Sequence, residues 1–181
     1  SVRFGNVINS SQSEIPIFKR QIETGGPVTL TDPQMSRFFL TYNDVTELVI
    51  DAMNHTKAGE IFIQKMDAIA IEDLAEAMID VFAPAYDHPP TEIKIEETGS
   101  RIGGTLDEKI LTKQEELQTV KNDLPCAILP EQSEEDDYLN HSTLDGFDPV
   151  ETVVRSSEHA DKLSQPDIRH LLRSEFAGVL A

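Results

Sequence analysis

The sequence predicts an α/β fold on three observations: an unbroken apolar, β-branched run from Val2 to Ile8, several helical apolar stripes opened by Ser or Thr, and a regular alternation of the two. Val2 to Ile8 reads as a central strand, buried on both faces. Beyond the polar link 9–12, Ser13 is placed to cap a helix with Pro16 in its first turn. Ile15, Phe18 and Ile22 lie on one face of that helix, and Gly25-Gly26 ends it. Val28 to Thr31 gives a short strand. Thr41-Tyr-Asn-Asp44 has capping-box spacing and predicts a second helix whose inner face carries Val45, Leu48, Val49, Ala52 and Met53. Gly59 resets the chain before the short buried strand Ile61-Phe62-Ile63. The strongest stripe follows, with Ile71, Leu74, Ala75, Met78, Ile79 and Phe82, and Pro84 stops it. After a Pro89-Pro90 turn, Ile93 and Ile95 alternate as in a half-exposed strand. Thr105-Leu-Asp-Glu108 has the spacing of another capping box, predicting a helix that carries Ile110, Leu111 and Leu117. The acidic run 131–137 reads as a solvated loop, and Ser164-Gln-Pro-Asp167 opens a terminal helix with Ile168, Leu171 and Leu172 inward. No internal repeat is apparent. The expected division is 1–130 as the main part, 131–163 as an acidic loop and irregular segment, and 164–181 as the terminal helix.

Composition bounds the function. A chain of 181 residues can bury a sizeable core, and its 39% apolar and 27% charged content excludes a chain disordered throughout. With 15 Lys and Arg against 33 Asp and Glu, the net charge of −18 repels phosphate backbones and anionic lipid, so neither nucleic acid nor membrane is an expected partner. No stretch reaches the length of a spanning helix and no signal peptide is visible, so a cytoplasmic protein is expected. Acidity spread along the whole chain suits concentrated salt, and a halophilic source is expected. Ser1 opens directly on the apolar run, which leads us to expect residues upstream. The single cysteine, Cys126, lies in the apolar run 124–129 and reads as a buried structural thiol.

The sequence contains no phosphate-binding loop of the G-x-x-x-x-G-K-[ST] type, no G-x-G-x-x-G, no G-x-S-x-G and no H-E-x-x-H. His55, His88, His141, His159 and His170 never fall at ligand spacing with a second His or a Cys, so no metal site is expected. Asp145, Asp148 and Glu151 lack the order of a calcium loop.

Five ordered blocks carry a resemblance. Val2-Arg-Phe-Gly-Asn-Val7, Ile15-Pro-Ile-Phe18, Gly25-Gly-Pro-Val-Thr-Leu-Thr-Asp-Pro33, Met35-Ser-Arg-Phe-Phe39 and Gly59-Glu-Ile-Phe62 are similar to the downstream half of the CapD-like polysaccharide-biosynthesis family. The match is densest over 2–80 and extends to Ser156-Ser157 and the terminal helix. These are nucleotide-sugar dehydratases and epimerases of the extended short-chain dehydrogenase/reductase type, typically UDP-N-acetylglucosamine 4,6-dehydratases. The resemblance implies the carboxy-terminal part of an NAD(P)-binding Rossmann-type fold with a small substrate-binding lobe, built from Val28 to Leu40 and from Glu92 onward. It also implies NAD or NADP as cofactor and a Tyr-x-x-x-Lys pair, both in an upstream half. Four residues after Tyr42, Tyr86 and Tyr138 stand Thr46, Pro90 and Ser142, so this sequence carries no such pair. A tyrosine near its ordinary pKa of about 10 is a poor base, and turnover by this chain alone is not expected.

The resemblance and the residues together give the candidate ligand contacts Asn6, Lys19, Thr29, Arg37 and Arg101, with a UDP-sugar as ligand. Arg37 has the donor fork that suits a diphosphate, and it equally suits a carboxylate pair. Arg101 aligns with the Arg of an Arg-Pro-Gly-Glu-Lys segment, but Ile102, Gly104 and Thr105 replace its Pro, Glu and Lys. Asn6 either faces the substrate or serves a turn. Thr29 and Thr31 share a strand face, as half-buried threonines often do. Lys19 either reaches a phosphate or is solvated, and Met35, Phe38 and Phe39 line a pocket or fill a core. Two functional classes follow: part of an enzyme, completed by an amino-terminal half or a homo-oligomer partner, and a non-catalytic nucleotide-sugar-binding or partner module.

Overall fold

The computed structural model describes residues 1–11, 13–99, 104–122, 125–130, 144–150 and 153–180; Arg101 and the acidic run 131–137 lie outside them. Within these residues the fold is mixed α/β, as the sequence predicts, with the first segment as its main departure. Val2 to Ile8 does not form one strand. It splits into β1 (Val2–Arg3) and β2 (Asn6–Val7), which belong to different sheets. The cause is a close crossing at Gly5, where a Cβ would lie 2.5 Å from Phe38 Cβ and 2.8 Å from the Phe38 carbonyl oxygen. Only glycine lets the backbone pass there.

β2 runs parallel to β4 (Ser36–Leu40), with Asn6 opposite Phe39, and β4 pairs antiparallel with β6 (Ala68–Ala70). β1 runs parallel to β5 (Ile61–Gln64), which pairs antiparallel with β9 (Pro125–Ile128). The sheet continues through β8 (Thr119–Lys121) to β10 (Asp148–Pro149), in the order β1-β5-β9-β8-β10. β3 (Val28–Leu30) pairs in parallel with β7 (Ile95–Glu97).

Three helices, the first, second and last, start where Ser13, Thr41 and Ser164 predict. α1 (Glu14–Glu23) follows Ser13, whose hydroxyl donates to the Ser10 carbonyl rather than closing a cap. α2 (Tyr42–His55) opens with a complete box: the Thr41 hydroxyl accepts from the Asp44 N–H, and the Asp44 carboxylate accepts from the Thr41 N–H. Its inner face is narrower than the stripe suggests. Leu48 and Ala52 are buried, whereas Val49 is 37% and Met53 73% exposed. α3 (Ile71–Phe82) buries nearly every apolar side chain it carries, and α5 (Gln165–Glu175) lies against it, with Phe176 edge-on to Phe82 at 5.2 Å. Ile15, Phe18, Ile22, Leu74, Met78 and Ile168 join them in the main core. Burial of each such side chain stabilises the fold by roughly 1.5–3 kcal/mol.

The expected helix after Thr105 does not form. Glu108, its intended capping partner, instead accepts from the Phe38 backbone N–H, and the box moves to Thr112 and Glu115, opening the four-residue α4 (Lys113–Glu116). Ile110 and Leu111 are buried, and Leu117 is 87% exposed beyond that short helix. Among the described residues, no helix is long and apolar enough to cross a membrane.

Candidate functional site

The start of α1, β3 and the beginning of β4 enclose a cavity of about 340 Å³. Glu14, Phe18, Thr29, Thr31, Met35 and Thr98 are among its lining residues. Gln21 on α1 holds Thr29 at two points: its side-chain amide donates to the Thr29 hydroxyl at 2.7 Å, and its carbonyl accepts from the Thr29 N–H at 3.0 Å. The side chain of Thr29 is thereby fixed while its hydroxyl proton stays available for a ligand. Thr98, one residue past β7, donates its hydroxyl to the Leu30 carbonyl at 3.0 Å and closes the rim.

Arg37, on the second residue of β4, stands beside this cavity with a side chain only 16% exposed. Its Nη1 donates to the carbonyls of Ser36 at 2.7 Å and Leu106 at 2.8 Å, and its Nη2 to the carbonyl of Thr105 at 2.9 Å and towards Met35 Sδ at 3.7 Å. Glu14 Oε1 lies 4.0 Å from Nε. The guanidinium therefore clamps the 105–106 segment onto β4. Behind it, Glu108 Oε2 accepts from the Phe38 N–H at 3.1 Å and from the Asn6 amide at 3.3 Å. Burial holds the Glu108 carboxyl above the usual carboxylate range, against the opposing pull of the Phe38 N–H and Arg37, and the Glu14 charge adds to the rise.

Ser36 and Ser157 anchor the same segment from below. The Ser36 hydroxyl donates to Asp107 Oδ1 at 2.6 Å. Ser157, which is fully buried, accepts from the Glu108 N–H at 2.9 Å and donates to the Ser36 carbonyl at 2.9 Å.

Of the residues singled out from sequence, Thr29 lines the cavity, Arg37 borders it through Glu14 and Met35, and Asn6 lies behind Arg37 through Glu108. Lys19 is turned to the terminal helix, with its ammonium 6.0 Å from the Phe176 ring centroid. Arg101 lies outside the described residues. Of Met35, Phe38 and Phe39, Met35 lines the cavity, while Phe39 is buried in the main core and Phe38 in the second. Sequence reasoning missed Glu14 and Gln21 and assigned Glu108 to a cap. An acid at the first turn of a helix is expected on dipole grounds alone, so Glu14 carried no distinguishing signal. Cys126 sits half-buried in β9, where burial raises its thiol pKa, consistent with an inert thiol. Among the described residues, no group of His, Cys, Asp and Glu is arranged to hold a metal ion.

The first two thirds of the chain are similar to known polysaccharide-biosynthesis proteins. The family model described as polysaccharide biosynthesis protein matches residues 1–128. A protein of Methanocaldococcus jannaschii described as an uncharacterized membrane protein is 46% identical over 114 residues, covering 63% of this chain and 34% of its own length. The capsular polysaccharide biosynthesis protein CapD of Staphylococcus aureus is 42% identical over 116 residues, covering 64% and 19%. A UDP-glucose 4-epimerase of Rickettsia rickettsii is 38% identical over 113 residues, covering 62% and 31%. The chain thus spans about a third or less of the length of these curated relatives. The X-ray structure of Pen from Bacillus thuringiensis superposes on all of this chain and half of its own, with a TM-score of 0.79 and 35% identity. With its fold, its ordered sequence blocks and the match over 1–128 in agreement, the chain belongs to the CapD-like polysaccharide biosynthesis protein family.

Proposed function

We propose that this chain is the nucleotide-sugar-binding portion of a polysaccharide-biosynthesis dehydratase or epimerase, of the UDP-N-acetylglucosamine 4,6-dehydratase type. The observation that carries the proposal is a cavity of about 340 Å³ with fixed threonine hydroxyls and an apolar wall, whose lining residues Glu14 and Met35 are in turn neighbours of the Arg37 guanidinium. That volume falls in the range of small-molecule pockets, and the mixture suits a ligand with an apolar-faced ring, several hydroxyls and a diphosphate. Arg37 attracts the diphosphate through its remaining edge or by exchanging the Thr105 and Leu106 carbonyls for phosphate oxygens. Arg101 adds positive charge and Thr29 meets the base or ribose, whereas Lys19, turned to Phe176, and Asn6, held by Glu108 and the Phe38 carbonyl, take no part in this cavity.

The family implies NAD or NADP, which when bound supplies the hydride acceptor. The residues described here do not fit the pyrophosphate of such a dinucleotide. The link from β2 to α1 contains no glycine, and its left-handed residue is Asn9, with φ 64°. The proposed catalytic partner is an amino-terminal half that carries the nicotinamide site and the Tyr-x-x-x-Lys pair, in the same polypeptide or in a separate subunit, and the chain is proposed to be inactive alone. Calorimetric titration with UDP tests the binding proposal: saturable binding that Arg37→Ala weakens supports it, and no binding by the folded chain refutes it.

A further inference from the structure

We infer that Gln21 is a positioning residue that sets the polarity of the cavity at Thr29: it holds the Thr29 hydroxyl as a hydrogen-bond donor, so that the ligand group meeting it is an acceptor oxygen. The inference rests on the nucleotide-sugar reading of the cavity and adds the residue that selects within that class. Gln21 lies on the face of α1 that carries Ile17 and Glu14, one and two turns before it, and both of these line the cavity. Across from it, the Val28 N–H donates to the Lys94 carbonyl and the Leu30 carbonyl accepts from the Thr98 N–H. The neighbours of Thr29 therefore face β7, and the Thr29 N–H faces the opposite edge of β3. There it donates to Gln21 Oε1 at 3.0 Å.

A backbone N–H can only donate, so this contact decides which end of the Gln21 amide faces β3. The NH2 end is left for the Thr29 hydroxyl, which accepts from Nε2 at 2.7 Å. The proton of that hydroxyl is directed away from Gln21, and among the described residues it is given to no protein group. Thr29 is half-buried and lines the cavity, which leaves a ligand oxygen there as the acceptor. Thr98, also on the lining, has the reverse polarity: its hydroxyl donates to the Leu30 carbonyl at 3.0 Å and offers the cavity lone pairs only. A free hydroxyl rotates to give or to accept. One tied to Gln21 admits a carbonyl, ether or phosphate oxygen of the nucleotide and disfavours an N–H, which would leave its own proton without an acceptor.

The test is calorimetric titration with UDP of wild type, Gln21→Glu, Gln21→Met, Thr29→Val, Thr29→Ser and each Gln21 variant combined with Thr29→Val, with thermal melts to confirm folding. In Gln21→Glu a carboxylate accepts from both the N–H and the hydroxyl of Thr29, which keeps the clamp and turns the hydroxyl proton out of the cavity. The added charge repels a diphosphate whatever stands at position 29, so the two backgrounds are compared. Gln21→Glu is expected to weaken UDP binding about three- to tenfold more in the wild type than in Thr29→Val, the worth of a neutral hydrogen bond. Thr29→Val alone is expected to lose about three- to tenfold and Thr29→Ser to recover that loss. Gln21→Met removes the clamp without adding charge and is expected to lose about two- to fivefold in the wild type and nothing in Thr29→Val, which keeps the test decisive if the glutamate variant does not fold. Thr29→Ala serves as the background should the valine variant not fold. Equal losses in both backgrounds, or binding by the folded position-29 variant as tight as wild type, overturn the inference and leave the nucleotide reading standing. A folded wild type that binds no UDP overturns the nucleotide reading, and the inference falls with it.

Discussion

Replacing Glu108 by alanine should destabilise the fold through two lost hydrogen bonds rather than through a cavity. Its Oε2 accepts from the Phe38 backbone N–H at 3.1 Å and from the Asn6 amide at 3.3 Å. The Asn6 amide keeps the Phe38 carbonyl at 3.3 Å, whereas the Phe38 N–H is left without this acceptor on a buried strand residue. Hydrogen bonds to a charged group contribute about 1.5–3 kcal/mol each, and the relief of a half-buried carboxylate offsets part of that. The net loss is about 2–3 kcal/mol, which for a chain of this size lowers Tm by about 4–12 °C. Glu108→Gln retains a carbonyl acceptor and should cost below about 1 kcal/mol. The pH leg has a definite sign. Burial raises the Glu108 pKa above 4.5 in the folded state, so its proton binding favours the fold below that value, and this contribution is lost as pH rises through the raised value. Glu108→Gln should therefore gain stability relative to wild type as pH rises. Melts of the three proteins across pH measure both effects. Glu108→Ala melting with wild type, or Glu108→Gln falling as far as alanine, would refute the reasoning.

Gly5→Ala places a methyl 2.5 Å from Phe38 Cβ and 2.8 Å from a backbone oxygen, neither of which can yield freely; urea unfolding should show a loss of about 1–3 kcal/mol. Arg37→Ala should weaken UDP binding by roughly ten- to a hundredfold in calorimetry, with Arg37→Lys between it and wild type, because lysine keeps the charge and loses the fork that holds Thr105 and Leu106. Arg3, at 2.8 Å, with help from Thr112, lowers the Glu115 carboxyl from 4.5 to about 2. That pair contributes stability above pH 4.5, on the order of 1 kcal/mol after screening, and the contribution is lost as pH falls to about 2. The stability gap between wild type and Glu115→Gln should accordingly close over that interval in acid melts.

How much was legible in the sequence follows from how local each signal was. The starts of α2 and α5 depend on cap contacts three residues apart, at Thr41 and Ser164, and Ser13 marked the start of α1 without closing a cap. The split of Val2 to Ile8 depends on Phe38, thirty-odd residues away, so the run showed only its apolar character. The box at Thr105 was a genuine local pattern overridden by distant partners, since Asn6 and the Phe38 N–H claim the Glu108 carboxylate. β4 was hidden because Ser36, Arg37 and the two phenylalanines do not alternate: Arg37 is half-buried, and Phe38, Phe39 and Leu40 are all buried between neighbouring strands. Within the site, Arg37 and Thr29 were legible through the family blocks. That Arg37 binds backbone carbonyls, and that Gln21 fixes Thr29, requires the juxtaposition of α1, β3 and the 105–106 segment.

The most direct measurement of the central claim is a methyl-detected NMR titration of this chain with UDP-N-acetylglucosamine. Binding in the proposed cavity predicts saturable shifts at the methyls of Thr29, Thr31, Met35 and Thr98. It predicts unchanged methyls at Ile63, Leu111 and Val153, which line a separate cleft beside Cys126. Shifts confined to that second cleft, or none at saturating ligand with the spectrum of a folded protein, would contradict the account.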